Sequence, residues 1–420
     1  VYDADGIRGR YESLHAALAP LGGSIRYALK ANPCPAILEL LVSLGAGMDV
    51  VSGGELERAW LAGASMDRVC MAGVAKSEAE MRAALDGRFS ALAGLVDRDP
   101  SRRGSIGLFN VESASELQVL EAVARELGVR APVAVRVNPS VDAGSHAHVR
   151  VGGAGSKFGL SPVEAAEAAR RVALSDQLLF RGLHMHIGSQ IADLSCFDAA
   201  LRVLTRLAGE LESEGLATSV LDVGAGLAVS YMGEAVPTDD AFASVLAGHL
   251  APWAERGAEI LVEPGRELVA QAGVLLTRVR HVKRCGDCTF VITDAGLNAL
   301  VRPALYGARH LVWPVACDPG FELEPIAPRL SSTGLESVDV VGPVCESSDV
   351  LLRDWPMPPI RRGDVLAVFT SGAYGMSMAM TFNDLPRPAE VMIDGGMARV
   401  VTSHQSMMDV LGVAGRGGSS

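Results

Sequence analysis

Between residue 24 and about residue 266, eight short apolar runs rich in β-branched residues alternate with Ala/Leu/Glu/Arg stretches of helical period. No other feature of the chain restricts its fold as strongly. The runs are 24–31, 47–52, 68–73, 106–112, 132–138, 181–188, 219–224 and 259–263, separated by helical stretches such as 54–63 and 113–127. Eight strands, each followed by a helix, are the ingredients of a closed (β/α)8, TIM-like barrel; a doubly wound open sheet is the competing arrangement. The polar residues favour the barrel. Lys30, Asn32, Asp49, Asn138, His186, Ser189, Gly226 and Arg266 all fall at the C-terminal ends of their runs, and in a barrel those ends form one mouth.

After residue 268 the rhythm changes to runs at 274–283, 289–294, 338–342, 365–369 and 390–394, separated by Pro/Gly-rich turns. This predicts an all-β C-terminal domain over 269–411, joined by residues 1–4, behind a barrel spanning 5–268. The small, polar stretch 412–420 reads as a mobile tail, and the Arg/Asp/Gly-rich stretch 85–105 as a surface insertion. With 49% hydrophobic and 20% charged residues the composition is that of a folded globular protein. The net charge of −12 disfavours nucleic acid as a partner. No apolar run approaches the ~18–20 residues that span a bilayer, so no membrane association is expected. Seven scattered cysteines suit a reducing cytoplasm. Cys285-Gly-Asp-Cys288 lacks a second pair to complete a zinc site, and no metal is expected.

Several residues could carry chemistry. Lys30, near the end of an apolar run, either snorkels to solvent or serves as a Schiff-base lysine whose amine is activated by burial and neighbouring charge. Asp222-Val-Gly-Ala-Gly226 follows a strand, and its missing side chains let backbone N–H groups approach an anion such as a phosphate. Glu263-Pro-Gly-Arg266 joins a strand-end carboxylate, a tight turn and an arginine, suited to a ring nitrogen and a phosphate, or to a plain surface ion pair. His184 and His186 share a face of one strand, with no third ligand evident for a metal; a stacking or hydrogen-bonding imidazole fits better. In the second domain, Gly342-Pro-Val-Cys345-Glu346-Ser-Ser-Asp349 brings a thiol and two carboxylates into one turn. Arg302, Tyr306 and Tyr374 add a guanidinium and two phenols, suited to a carboxylate and a phosphate.

The ordered set YALKAN, GAGMDVVSGGEL, NVES, RVNPSVD, SKFGL, HMHIGSQ, DVGAGL, EPGREL, RPALYGARH, GPVCESSD, GAYGMSM and FNDLPRPAEV resembles fold-type III pyridoxal-phosphate decarboxylases, and most of all their diaminopimelate decarboxylase branch. The resemblance runs from about residue 1 to 400. It implies a cofactor-binding barrel, a C-terminal β-domain and a homodimer with two shared active sites. Lys30 would hold pyridoxal 5'-phosphate covalently, His186 would stack on its ring, and Glu263 would pair with the ring nitrogen. Ser189, Gly226, Gly265 and Arg266 would hold the phosphate, and Asp49 and Glu55 would support the lysine. Cys345 of the partner subunit would act as the proton donor, and Glu346 of the partner subunit would bind the distal amino group of the amino-acid substrate. Arg302, Tyr306 and Tyr374, with Arg266, would meet the distal carboxylate and the phosphate.

The chain departs from this family's pattern at three places. Gly224-Ala225-Gly226 replaces three consecutive glycines, Phe382-Asn-Asp-Leu385 lacks the usual tyrosine and arginine, and Arg399-Val-Val-Thr-Ser-His404 replaces an arginine-rich stretch. The cofactor set is intact. Decarboxylation of meso-diaminopimelate to L-lysine is therefore the first expectation. A decarboxylase acting on another or a carrier-protein-linked amino acid, such as a glutamyl thioester, is the alternative. A catalytically inactive binding homologue would be expected to have lost Lys30, Glu263 or Cys345, and a racemase would not carry the Cys345-Glu346 pair.

Overall fold

In the computed structural model, which describes residues 1–88, 104–141, 156–318, 321 and 334–412, the eight apolar runs become eight strands. After a two-residue strand β1 (Tyr2–Asp3), these are β2 (Ser24–Ala28), β3 (Gly47–Val50), β4 (Val69–Met71), β5 (Leu108–Val111), β6 (Ala131–Arg136), β7 (Leu178–His184), β8 (Val220–Asp222) and β9 (Glu259–Val262). All pair in parallel in chain order. Pairing of Ser24 with Leu261 and Ile25 with Val262 closes β2 onto β9, so the arrangement is a barrel and not an open sheet. Most of the 85–105 insertion, Asp142 and residues 413–420 of the tail lie outside the described residues.

Helix starts are written into the sequence as Ser-x-x-Glu. Ser52, Ser77, Ser113 and Ser161 each accept the N–H of the glutamate three residues on, which satisfies a donor that the first helical turn would leave orphaned. Two of those glutamates reach further back than a normal capping box. Glu55 accepts from Val51 N–H at 2.8 Å and Glu116 from Glu112 N–H at 2.9 Å, which ties the strand-to-helix turns after β3 and β5 at the mouth. Inside the barrel, Cys70, Leu108, Ala134, Val220 and Leu261 form a buried apolar layer.

By internal contact the chain divides into two units: Arg8–Ala228 with Val236–Glu267, and Leu268–Ser420 with Val1–Ile7 and Val229–Ala235. The second unit is built on a six-stranded sheet of order β12-β15-β10-β11-β13-β14 and a three-stranded sheet of order β1-β16-β17. Its strands are β10 (Leu275–Cys285), β11 (Cys288–Thr293), β12 (Val312–Pro314), β13 (Glu336–Val341), β14 (Val350–Met357), β15 (Val365–Val368), β16 (Glu390–Asp394) and β17 (Met397–Thr402). Three of them, β12, β14 and β17, fall outside the five runs read from the sequence. In β14 the sequence Val-Leu-Leu-Arg-Asp-Trp-Pro-Met is interrupted by Asp354 in a left-handed conformation (φ 47°) and by Pro356, so its alternation is lost to the eye while Leu351, Leu352, Trp355 and Met357 still reach the core. Cys285 and Cys288 pair across the β10–β11 hairpin, with Gly286 in the left-handed turn position (φ 60°). That two-residue turn accounts for the CxxC spacing.

Candidate active site

The first site residue departs from its expected setting. Lys30 does not end strand β2, which stops at Ala28; it sits in a short 3-10 turn, Leu29–Ala31. The turn carries its amine to the mouth, where Nζ meets Asp49 Oδ2 at 2.8 Å, with Asp49 fully buried and the lysine side chain about a third exposed. Asp49 Oδ1 has no hydrogen-bond partner. A second lysine near the mouth is consumed by structure: buried Lys76 donates to Glu116 Oε1 (2.6 Å) and to the carbonyls of Gly73 and Asn110 (both 2.8 Å). Glu55 is pushed up to about 7, chiefly by burial, with the Val51 N–H opposing and the Asp49 charge adding.

A buried acid cluster lies across the mouth. Glu263, just beyond β9, accepts from Asn110 Nδ2 at 3.1 Å and contacts His184 Nε2 at 3.2 Å. Asn110 Nδ2 also reaches Asp222 Oδ2 at 3.4 Å. Burial, followed by the Asp49 charge, pushes the Glu263 carboxyl up to about 7 against the pull of Lys30. Burial and the Glu263 charge push Asp222 well above the usual carboxylate range, and burial brings His184 down to about 4. The ligating atoms of His184, Asp222 and Glu263 lie within 4.8 Å of one another, so the third and fourth groups that the histidine pair seemed to lack do converge on His184. Asn110 was not singled out in the sequence, Asp222 was named only as the first residue of the glycine turn and His184 only as half of a histidine pair, though each lies at or beside the end of a strand within a quoted motif.

His186 is buried, its Nδ1 has no hydrogen-bond partner, and burial followed by the Lys30 charge holds it well below the usual imidazole range. Its ring is admitted by Gly224, where an added Cβ would lie 2.7 Å from Nδ1. Gly224 and Gly226 are left-handed (φ 63° and 115°), and a Cβ on Gly226 would lie 2.0 Å from Gly188 O. Ala225 is not among the left-handed residues, which explains physically why that one glycine of three can be replaced. The N–H groups of Gly226 and Gly265 both point to the Glu267 carboxylate, at 3.4 and 3.2 Å. Beside them, Arg266 donates to Ser189 Oγ from Nε (3.2 Å) and Nη2 (3.1 Å). Two amides, a hydroxyl and a guanidinium thus form an anion cradle with a carboxylate already on its amides; Glu267 was not anticipated in this place.

The remaining expected residues belong to the second unit. Arg302 is buried at the start of the short helix Arg302–Tyr306. Its Nη1 donates to His310 Nε2 at 2.7 Å, and its guanidinium lies 4.6 Å from the centre of the Tyr231 ring. His310 Nδ1 is 2.9 Å from Phe369 O; a carbonyl only accepts and a guanidinium only donates, so the ring is the neutral tautomer with its proton on Nδ1. Tyr306 is half-buried, and Tyr374 is half-buried and left-handed (φ 57°). In the Cys345 turn the two carboxylates separate by task. Asp349 is buried and accepts from Leu297 N–H (2.6 Å) and Val344 N–H (2.7 Å), whereas Glu346 and Cys345 are exposed. Cys345 N–H donates to Asn383 Oδ1 at 2.9 Å, so the departing Phe382–Leu385 block supports this turn.

Residues 4–270 match the family model for the pyridoxal-binding domain of pyridoxal-dependent decarboxylases. The chain belongs to that family. It is 40% identical over 383 residues to the diaminopimelate decarboxylase of Vibrio cholerae, covering 91% of this chain and 84% of the relative. It is 37% identical over 389 residues to that of Zymomonas mobilis, covering 92% and 84%. Among solved structures, diaminopimelate decarboxylase from Helicobacter pylori complexed with L-lysine superimposes with a TM-score of 0.86 at 33% identity, covering 99% of this chain and 96% of the other. The chain is a pyridoxal-phosphate-dependent amino-acid decarboxylase. The site fits that cofactor on its own geometry: an amine at the mouth beside a buried carboxylate, a deeply buried carboxylate pushed toward neutrality, an imidazole with an unpartnered nitrogen, and amides converging on an anion. No helix among the described residues is long and apolar enough to cross a membrane.

Proposed function

We propose that this decarboxylase converts meso-diaminopimelate to L-lysine and CO2, as a cytoplasmic homodimer whose two sites are each shared between subunits. The observation that carries the substrate is Arg302: a buried guanidinium held in one orientation by His310 and Tyr231 suits a second carboxylate far from the reacting carbon. Relatives similar over nearly the whole chain bear the name diaminopimelate decarboxylase, and solved structures of two of them hold L-lysine. Glu346 would take the distal amine, and Tyr306 and Tyr374 the remaining contacts with carboxylate and phosphate.

Pyridoxal phosphate, when bound, supplies the electron sink for the pair released as the Cα carboxylate leaves. Lys30 would hold it through Nζ, with Asp49 beside the amine fixing its position. Glu263 would keep a proton on the ring nitrogen, backed by Asn110 and His184. His186, held neutral by burial, would pack against the ring. Ser189, Gly226, Gly265 and Arg266 would hold the phosphate. Cys345 of the partner subunit would supply the proton that replaces the lost carboxylate. Mixing Lys30→Ala with Cys345→Ala protein should restore activity through heterodimers with one intact site; absence of rescue despite demonstrated subunit exchange refutes shared sites.

One observation favours a second substrate reading. Asn383, within the block that departs from the family pattern, holds the Cys345 turn, and a changed support there suits a larger or carrier-linked amino acid. A single experiment separates the two: CO2 release from meso-diaminopimelate, lysine, ornithine, arginine and glutamate. The proposal expects diaminopimelate to be preferred; failure on all five, with turnover of a thioester-linked amino acid, overturns it in favour of the second.

A further inference from the structure

The barrel strands begin at the face opposite Lys30, and at that end the first unit has a solvent-open cleft of about 570 Å³. Its floor is the apolar layer that includes Cys70, Leu108, Val220 and Leu261, which separates it from the acid cluster of the active site. Its wall is charged. Arg26 of β2, Arg68 before β4, Arg130 before β6 and Arg181 of β7 line it, and among the described lining residues the carboxylates are those of Asp67 and Glu259. Four guanidiniums against two carboxylates is a local excess of positive charge in a chain whose net charge is −12.

Ion pairing within the protein does not account for this excess. Arg26 Nη2 pairs with Glu259 Oε1 at 2.8 Å. Among the described residues, the other three arginines donate only to neutral oxygens: Arg68 to Ser24 Oγ (3.3 Å), Arg130 to Leu178 O (3.0 Å) and Arg181 to Ser219 Oγ (3.0 Å). Asp67 Oδ1 accepts from the Ser65 hydroxyl, and among the described residues Asp67 pairs with none of the four arginines. Arg26 itself is only 4% exposed and its Nε has no hydrogen-bond partner. It fits only because its neighbour across the strands is Gly47, where a Cβ would lie 2.5 Å from Arg26 Cδ and 2.9 Å from Nε. Burying a guanidinium is costly, and a barrel end that needed only closing would be filled with apolar side chains. Two strands and two strand-leading segments have instead brought arginines, from buried Arg26 to exposed Arg130, to one open cleft of a size that takes a small metabolite.

We propose that this cavity is a binding site for a small polyanion, a phosphorylated or polycarboxylate metabolite, separate from the decarboxylation site. The planar forks of Arg68, Arg130 and Arg181 take its oxygens, while the Arg26–Glu259 pair forms the fixed end of the site. The inference does not depend on which amino acid is decarboxylated.

The test is calorimetric titration of the holoenzyme, its phosphate cradle filled by cofactor, with pyrophosphate and with citrate at an ionic strength matched by sodium chloride. One saturable site per chain is expected for at least one of the two; pyrophosphate alone identifies a phosphorylated ligand and citrate alone a polycarboxylate. Arg130→Gln/Arg181→Gln should weaken that binding at least 10-fold, and Arg302→Gln, which removes a buried guanidinium of the second unit, should leave it within 3-fold. Absence of saturable binding of either anion overturns the proposal. So does binding that survives the double substitution or that disappears in Arg302→Gln. Should the double variant not fold, Arg68→Gln alone decides: a loss under 3-fold overturns the site.

Discussion

Replacing His310 with phenylalanine removes the acceptor on which Arg302 Nη1 rests at 2.7 Å while keeping a planar ring of similar size. His310 is fully buried, and its Nδ1 proton is committed to Phe369 O, so the imidazole offers Nε2 to Arg302 in one fixed orientation. A hydrogen bond to a charged group contributes about 1.5–3 kcal/mol, and leaving the donor buried and unsatisfied costs a similar amount. The Tyr231 contact survives and retains about 1 kcal/mol of guanidinium–ring attraction, so Arg302 is expected to lose its orientation and not its place. On the amino acid that the enzyme decarboxylates fastest, His310→Phe should then lower kcat/KM by roughly 10- to 150-fold, the conversion of that range at 1.4 kcal/mol per decade. Most of the loss should appear in KM, with the absorbance of bound cofactor unchanged. His310→Gln, which can accept at Oε1 and donate at Nε2, should recover most of it. Steady-state kinetics beside a cofactor titration and a thermal melt make the measurement. A folded His310→Phe enzyme within 3-fold of wild type would refute the positioning argument, and a parallel loss of cofactor would show a structural role in its place.

Two further expectations concern the barrel. Glu263 ionises in the unfolded chain near 4.5 but in the fold only near 7, so the folded apoprotein keeps a proton that the unfolded chain has released and loses stability as pH rises through that window. Glu263→Gln apoprotein should therefore gain in Tm relative to wild type between pH 5 and 7, while turnover of the holoenzyme falls at least 100-fold, in line with ~2.7–4 kcal/mol for a lost electrostatic contact at a reacting centre; a pH-independent Tm difference or unchanged turnover sinks the assignment. Gly226→Ala forces a Cβ to 2.0 Å from Gly188 O at φ 115°, and strain of about 1–3 kcal/mol should weaken cofactor binding by roughly 5- to 150-fold in an absorbance titration. Ala225→Gly should stay within 3-fold, and equal losses in the two would refute the cradle.

The barrel was legible in the chain because parallel strands covered on both faces are written as short apolar runs, and six of the eight have a polar residue or a glycine turn at the C-terminal end. Lys30, Asp49, Glu263, His186 and the Gly224–Gly226 turn stood out for the same reason: a charged or missing side chain at the end of an apolar strand has few structural explanations. The 3-10 turn under Lys30 did not show, since three residues extending an apolar run look like more strand. In the second unit, β14 was hidden because a left-handed Asp354 and Pro356 break the alternation that marks a half-buried strand.

What only tertiary structure decided are contacts whose partners are far apart in the chain and ordinary when seen singly. Tyr231, Arg302, His310 and Phe369 carry no shared motif, yet ring face, guanidinium, imidazole and carbonyl assemble into one device. Glu267 could not be foreseen on the amides of Gly226 and Gly265, because that depends on how the β8 and β9 turns meet. The arginines at the opposite end of the barrel lie within β2 and β7 and just before β4 and β6, and no single one of those segments is unusually basic. Sequence periodicity determines which side chains are buried and at which end of a strand a polar group sits; closure of the barrel determines which of those groups share a space, and with it the charge and hydrogen bonding each one meets.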